Sequence, residues 1–197
     1  MNSESGIQGV EYNIRALLSA LAIIAAVMVG TLYAQDRVWW CEAGDMLPWS
    51  FDIWSPHNSQ HVIDPYSLSH LEHGLGLYVL LRLLFGQRLS YTVLVIAVAV
   101  IEASWEVIEN TEAVIQRYRE ATISLDYFGD SIINSLGDYA SCLMGVAIAR
   151  RVSFRNAVIA FAVLEVISLF WIRDSLLINI VMLIYPVDAI RNWQTPA

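Results

Sequence analysis

Three carboxylates, two imidazoles and a second pair of acids are spaced in this chain as groups that do chemistry are spaced. Glu102, Glu106 and Glu109 recur at i, i+4 and i+7, which aligns them on one stripe of a helix. His70-x-x-His73 presents two imidazoles on one helical face, and Asp130, Asn134 and Asp138 repeat at i, i+4, i+8 beside Ser131 and Ser135. Carboxylates packed this closely cannot all stay ionised, so they call for a proton, an arginine or a metal ion. Arg117 and Arg119 are the nearest candidate counter-charges, and a guanidinium grips a carboxylate or phosphate through two parallel hydrogen bonds. His70, His73 and Glu106 suit a divalent ion, and His57-x-x-x-His61 adds two imidazoles upstream. The competing reading is polar pairing that only satisfies buried groups.

These residues lie at the ends of long apolar segments. The chain has 197 residues, 57% of them hydrophobic, and a mean hydropathy of +0.53. A hydrocarbon core about 30 Å thick needs about 20 mostly apolar residues per helix, and the sequence supplies that length repeatedly. The expected fold is an all-α integral membrane protein, a single domain over 1–197 with about six transmembrane helices. The spans are read as 16–34, 68–85, 89–109, 130–149, 156–172 and a shorter 175–190. Pro186 lies near the end of the last, which is either a span or a re-entrant or oblique segment that leaves five. Residues 1–15 form a cytoplasmic tail, 35–67 and 110–129 are external loops, and the spacing of Ala113, Val114, Ile115 and Tyr118 predicts a short interfacial helix in the second.

Charge orients the bundle. All eleven basic residues are arginine, and Arg15, Arg88, Arg150, Arg151, Arg155 and Arg191 outweigh Arg37, Arg117, Arg119 and Arg173 across the short loops, which places both termini in the cytoplasm. The unusual polar groups then collect at the outer leaflet. Each would cost about 2.5–3.5 kcal/mol at a bilayer centre, so such residues mark a functional site. A formal charge of −8 with no basic patch excludes nucleic acid as a partner. Cys41 and Cys142 make no disulfide framework, Glu165 reads as an interhelical contact, and Gly74 and Gly76 as points of close helix packing.

The ordered segments Asn58-Ser59-Gln60-His61, Glu102-x-x-Trp105-Glu106-x-x-Glu109-Asn110, Arg117-Tyr118-Arg119 and Asp126-Tyr127-Phe128-Gly129-Asp130-Ser131 resemble a bacterial family of uncharacterised multi-pass inner-membrane proteins, a domain of unknown function. The likeness extends from Trp40 to Gln194. Where that family carries C-x-C-G, this chain has Cys41-Glu42-Ala43-Gly44, which counts against a paired-thiol or cysteine–metal site. Arg119, Asp126, Asn134 and Gly137 are also loosely similar to the VanZ-like membrane proteins, a resemblance that implies envelope lipid or cell-wall chemistry.

Two functions follow. The first is an enzyme acting on a lipid or phosphate-bearing envelope substrate. His70, His73, Glu106 and Asp130 would carry its acid–base chemistry or a metal, and Asn110, Arg117, Arg119, Asp126 and Asn134 would hold the substrate. The second is a non-enzymatic binding or transport component, or a membrane scaffold.

Overall fold

The computed structural model describes residues 14–122 and 127–195. Its helices are α1 (Ile14–Ala34), α2 (Ser67–Phe85), α3 (Tyr91–Glu109), α4 (Glu112–Ala121), α5 (Ile132–Arg151), α6 (Phe154–Ile172), α7 (Leu176–Ile184) and α8 (Asp188–Gln194). Among the described residues only a bridge between Trp49 and Ile63 has β character. Four of these helices, α1, α3, α5 and α6, are long and apolar enough to cross a membrane. Helix α2 matches them in length at 19 residues but carries His70, Glu72, His73 and Arg82.

Serine starts most of the long helices. The hydroxyls of Ser90, Ser131, Ser153 and Ser175 each accept from the backbone N–H three residues on, and so satisfy an orphan donor of the first turn. Ser131 is therefore the cap of α5, and Asp130 stands just ahead of the helix instead of in its first turn. Helix α2 begins differently. Asp64 accepts from the backbone N–H groups of Tyr66 and Ser67 at 2.8 and 3.0 Å, an Asx-type turn that hands the chain into the helix.

Helices α2 and α5 form the most extensive pair, with α6 against α2, α3 against α5, and α1 along α3. The α2–α5 seam is backbone on backbone. A Cβ built on Gly74 would stand 1.9 Å from the carbonyl oxygen of Cys142, and one on Gly145 would stand 2.1 Å from that of Leu71. Gly76 instead faces the Phe161 ring at an ordinary 3.5 Å, so of the two glycines expected at a helix contact only Gly74 makes the close one. The apolar core follows the seam, with Leu94, Val95, Val98, Cys142 and Val146 around Leu17, and Leu75, Ala149 and Ala157 on the α6 side.

Of the alternatives left open for the last segment, a single continuous helix is not the one found. The apolar run from Ser175 breaks into α7 and α8, because Pro186 bars a helical Tyr185, which lies extended at φ −140°. Nine residues reach about 14 Å, half of a hydrocarbon core. Helix α8 then turns back: Arg191 donates to the backbone oxygen of Glu120 beside α4, and Gln194 to Asp174. The C-terminal helix thus shares its end of the bundle with the 110–129 connection. The N-terminal end of α1 lies at the other end, where Leu17 packs on Leu94 and Val95. The start of α1 and the end of α8 thus lie at opposite ends of the bundle.

Asp174 ties this corner together. Its buried carboxyl accepts from Ser175 N–H at 2.9 Å, Gln194 at 3.1 Å, Asn179 at 3.3 Å and the Tyr66 hydroxyl at 3.4 Å. Burial, only partly offset by those donors, raises its pKa from the ordinary 3.8 to about 6. A raised acid favours the fold when neutral, so its contribution is fullest below about pH 4 and is lost as pH rises through about 6. Between pH 4 and pH 7 the wild type should lose about 3 kcal/mol relative to D174N, read as diverging melting temperatures in detergent. Parallel melting curves for the two proteins across that range would refute it.

Candidate functional site

The stripe of glutamates on α3 and the histidine pair on α2 meet in the bundle, with α5 behind them. Glu102 bridges the imidazoles: Oε1 lies 2.6 Å from His70 Nδ1 and Oε2 2.9 Å from His73 Nδ1. Glu106 approaches the same His70 Nδ1 at 3.2 Å, yet neither of its oxygens has a hydrogen-bond partner. On the far side of the ring, Nε2 stands 3.8 Å from Asp138. His70 therefore sits among three carboxylates, all of them buried.

A second layer closes the cluster toward the loop end. Asn110 and Asp130 bond reciprocally, the amide donating to Oδ2 and accepting from the Asp130 N–H, both at 2.7 Å. The Tyr127 hydroxyl donates to Asp130 Oδ1 at 2.9 Å and the Tyr118 hydroxyl to Glu109 at 2.7 Å, leaving Glu109 Oε2 without a hydrogen-bond partner. Ser67 donates to Asp138 at 2.9 Å. Asn134 donates to the backbone oxygen of His61 at 2.8 Å and to Asp64 at 3.3 Å. Burial raises the Asp130 pKa, against the lowering pull of Asn110, Tyr127, His70 and Arg37. Burial, with Asp130 as a like-charged neighbour, raises that of Asp64 to about 6.

The cluster opens onto a cavity of about 170 Å³. It is lined by the polar groups His70, His73, Glu109, Asp130 and Asp138, and by Leu176, Asn179, Ile180 and Leu183 of α7. Trp105, Tyr118 and Tyr127 join the two, and Asn58 and Ser59 line it from the long connection before α2. Charged and hydrocarbon side chains thus both line it.

Of the residues singled out from sequence, His70, His73, Glu106, Asp130, Asn110 and Asn134 come together here, while Asp126 lies outside the described residues. Arg117 and Arg119 go elsewhere. Arg117 donates to the backbone oxygens of Leu183 and Ile184 at 2.8 and 3.4 Å, where a cation complements the C-terminal end of α7. Arg119 donates to the Tyr127 oxygen at 2.6 Å and stacks over Phe128. The arginine whose charge bears on Asp130 is Arg37, which follows α1 and packs at Gly129. Sequence reasoning also passed over Asp64 and Ser67, although Asp-x-x-Ser ahead of an apolar helix is a legible start signal.

The donor set fits a divalent ion in more than one way. Ligand atoms of His70, His73 and Glu102 lie within 4.8 Å of one another, as do those of His70, Glu106 and Asp138 and those of Glu106, Glu109 and Asp130. The expected trio of His70, His73 and Glu106 is thus redistributed, with Glu102 serving the two imidazoles and Glu106 turned toward Asp138.

Against known proteins, the family described as "Protein of unknown function (DUF2585)" matches residues 32–196. The chain is similar to the UPF0314 protein of Rhizobium meliloti (strain 1021), 41% identical over 178 residues, 90% of this chain and 89% of that protein. It is 42% identical over 179 residues to the counterpart in Sinorhizobium fredii (strain NBRC 101917 / NGR234), with the same coverage, 90% and 89%. For the one in Paracoccus denitrificans (strain Pd 1222) the figure is 40% over 159 residues, 78% and 79% of the two chains. No solved structure matches the chain.

Proposed function

This chain belongs to the DUF2585 family of proteins of unknown function, and from the chemistry of its site we propose a multi-pass inner-membrane enzyme that acts on a lipid or lipid-linked envelope molecule at the outer leaflet. In this reading α1, α2, α3, α5 and α6 span the bilayer. Arg88, Arg150, Arg151 and Arg155 face the cytoplasm with the N terminus, and α4, α7, α8 and the C terminus lie outside. The apolar faces that α1 and α6 turn outward, among them Ile23, Val27, Ile159, Val163 and Phe170, then meet lipid.

The observation that carries the proposal is a cavity lined both by imidazoles and carboxylates and by the aliphatic side chains of α7. An amphipathic molecule fits both: its chain lies along Leu176, Ile180 and Leu183, and its polar end meets His70, His73 and Asp130. Asp130 is held in place by Asn110 and Tyr127, and Asn134 anchors the loop above. His70, His73 and Glu106 serve as acid–base groups or as ligands of a divalent ion. The surplus of carboxylate oxygens, with both oxygens of Glu106 lacking a hydrogen-bond partner, favours a cation. Such an ion, held by His70 with His73 and Glu102 or with Glu106 and Asp138, would polarise a phosphoryl or carbonyl oxygen and acidify a bound water. A phosphate group would then be gripped by the ion, since Arg117 and Arg119 are engaged with backbone oxygens.

Metal analysis of protein purified without chelator tests this directly. One equivalent of a divalent metal in this cluster is expected in the wild type, with that equivalent lost in H73A and E102Q variants that keep their elution volume. A metal content that is the same in wild type, H73A and E102Q after equilibration with zinc, manganese or magnesium would sink the cation reading. A second reading, a proton- or cation-conducting component, is favoured by Glu72. It is fully buried on the opposite face of α2 from His70, in electrostatic contact with Glu165. Ion-flux assays on reconstituted vesicles separate the two.

A further inference from the structure

A second constellation of ligand-type side chains lies outside the cavity, in the connection between α1 and α2. Cys41 Sγ stands 3.2 Å from His57 Nδ1, and that nitrogen stands 3.2 Å from His61 Nε2. The three ligand atoms all fall within 4.8 Å of one another. Cys41 and His61 are buried, and His57 is half-buried. Neither cysteine of the chain is in a disulfide.

The proton count around these atoms is informative. His61 Nδ1 faces the backbone oxygen of Leu47, which can only accept, so Nδ1 carries the hydrogen and a neutral ring points its Nε2 lone pair at His57. His57 Nδ1 then faces a lone pair on one side and the sulfur on the other, and a single hydrogen cannot lie in line with both. A cation at the centre satisfies all three atoms together. The ring nitrogen of His61 turned to a carbonyl is also the usual outer bond of a metal-ligating histidine, fixing tautomer and ring orientation. Tetrahedral zinc, with bonds of about 2.3 Å to sulfur and about 2.0–2.1 Å to nitrogen, sets its donors about 3.3–3.6 Å apart. The observed 3.2 Å separations are within a few tenths of an ångström of that.

We propose that Cys41, His57 and His61 form a metal site for a borderline-soft ion, zinc(II) above all, with a fourth position left to water or another ligand. Thiolate and imidazole select this class over magnesium or calcium, which prefer oxygen. The site is separate from the carboxylate cluster and stands whether or not that cluster binds metal. Its place in the fold gives it a task. On one side of the site, the backbone oxygens of Val38 and Trp39 accept from Ile132 and Ile133 N–H. On the other, those of Ser59, Gln60 and His61 accept from Ser131 N–H, Ser131 Oγ and Asn134. Metal binding closes the intervening loop across 16 residues, and so holds Asn58 and Ser59 at the rim of the cavity. The single cysteine of Cys41-Glu42-Ala43-Gly44, discounted as a ligand for lack of a thiol partner, acquires imidazole partners through folding.

Cobalt(II) is the probe, because a thiolate–cobalt bond gives a near-ultraviolet charge-transfer band that oxygen and imidazole ligands do not. Reduced, purified full-length protein titrated with cobalt should develop that band to about one equivalent. C41S should lose it, H57A and H61A should weaken cobalt binding at least tenfold, and C142S and E106Q should keep the band. In the unmodified wild type, zinc should slow alkylation of Cys41 at least tenfold, a reading that needs no variant to fold. A wild type without the band or the protection overturns the site, and so does a band that survives C41S and disappears in C142S. Metal content unchanged in H73A and E102Q, with the cobalt–thiolate band intact, would count against the cavity cluster alone.

Discussion

Replacing Gly74 with alanine should loosen the whole bundle. The added methyl would sit 1.9 Å from the backbone oxygen of Cys142 and 2.9 Å from the Val146 nitrogen, where no side-chain rotation relieves the contact. Helices α2 and α5 would have to separate, and overpacking of this kind costs about 1–3 kcal/mol or more. The expected loss lies at or above the top of that range, because the obstacle is backbone and the seam continues at Gly145. Alanine at Gly76, two residues on, meets only the edge of Phe161 at 3.5 Å and should cost little. Thermal melts of the two variants in the same detergent check the contrast. Equal melting temperatures would mean that the seam is softer than its geometry implies. The same substitution shifts His70 and His73 relative to Glu102, so metal content should fall alongside stability.

Removing His70 should be the most damaging single change in the carboxylate cluster. Among the described residues its ring is the one basic group within 4 Å of Glu102, Glu106 and Asp138 together, and breaking a buried ion pair from one side costs about 3–5 kcal/mol. His73 contacts Glu102 alone, with a side chain that is 19% exposed, so H73A should cost clearly less. Neutralising a neighbour should repair part of the damage. The double variant H70A/E106Q is expected to be more stable than H70A, since one of the stranded carboxylates no longer repels the others. A double-mutant cycle on chemical or thermal denaturation measures this coupling. If H70A/E106Q is less stable than H70A by the full cost of E106Q alone, the imidazole and carboxylates do not act as one charge system.

How much of this was legible in the sequence depended on the range of the signal. The i, i+4, i+7 glutamates and the i, i+3 histidines are local patterns on helices, and local patterns survive into the fold: each set shares a face and the two faces meet. Serine caps are equally local, and reading Ser131 as a cap would have set Asp130 outside α5 from the start. Pro186 marked the end of α7, but the apolar run around it left a span and a re-entrant or oblique segment both open, because hydropathy registers composition and not the 9-residue length that remains once the proline has acted. Arg117 and Arg119 were matched to carboxylates on charge alone. What decides their partners is tertiary: the end of α7 presents carbonyls to Arg117, and the Tyr127 carbonyl ahead of α5 meets Arg119. Cys41 and His57 lie 16 residues apart without a spacing rule, and only the turns of the long connection bring them together.

Helix α7 has a consequence for how such proteins can diversify. It is fastened at its start through Asp174 and at its end through Arg117, both apart from the groups that surround His70. The reactive floor is built on α2, α3 and α5, and the greasy wall on a separately anchored element. Under the proposed function, substitutions at Leu176, Ile180 or Leu183 would retune which molecule is admitted while the charge constellation stays untouched, a division of labour that would let selectivity drift without rebuilding the chemistry.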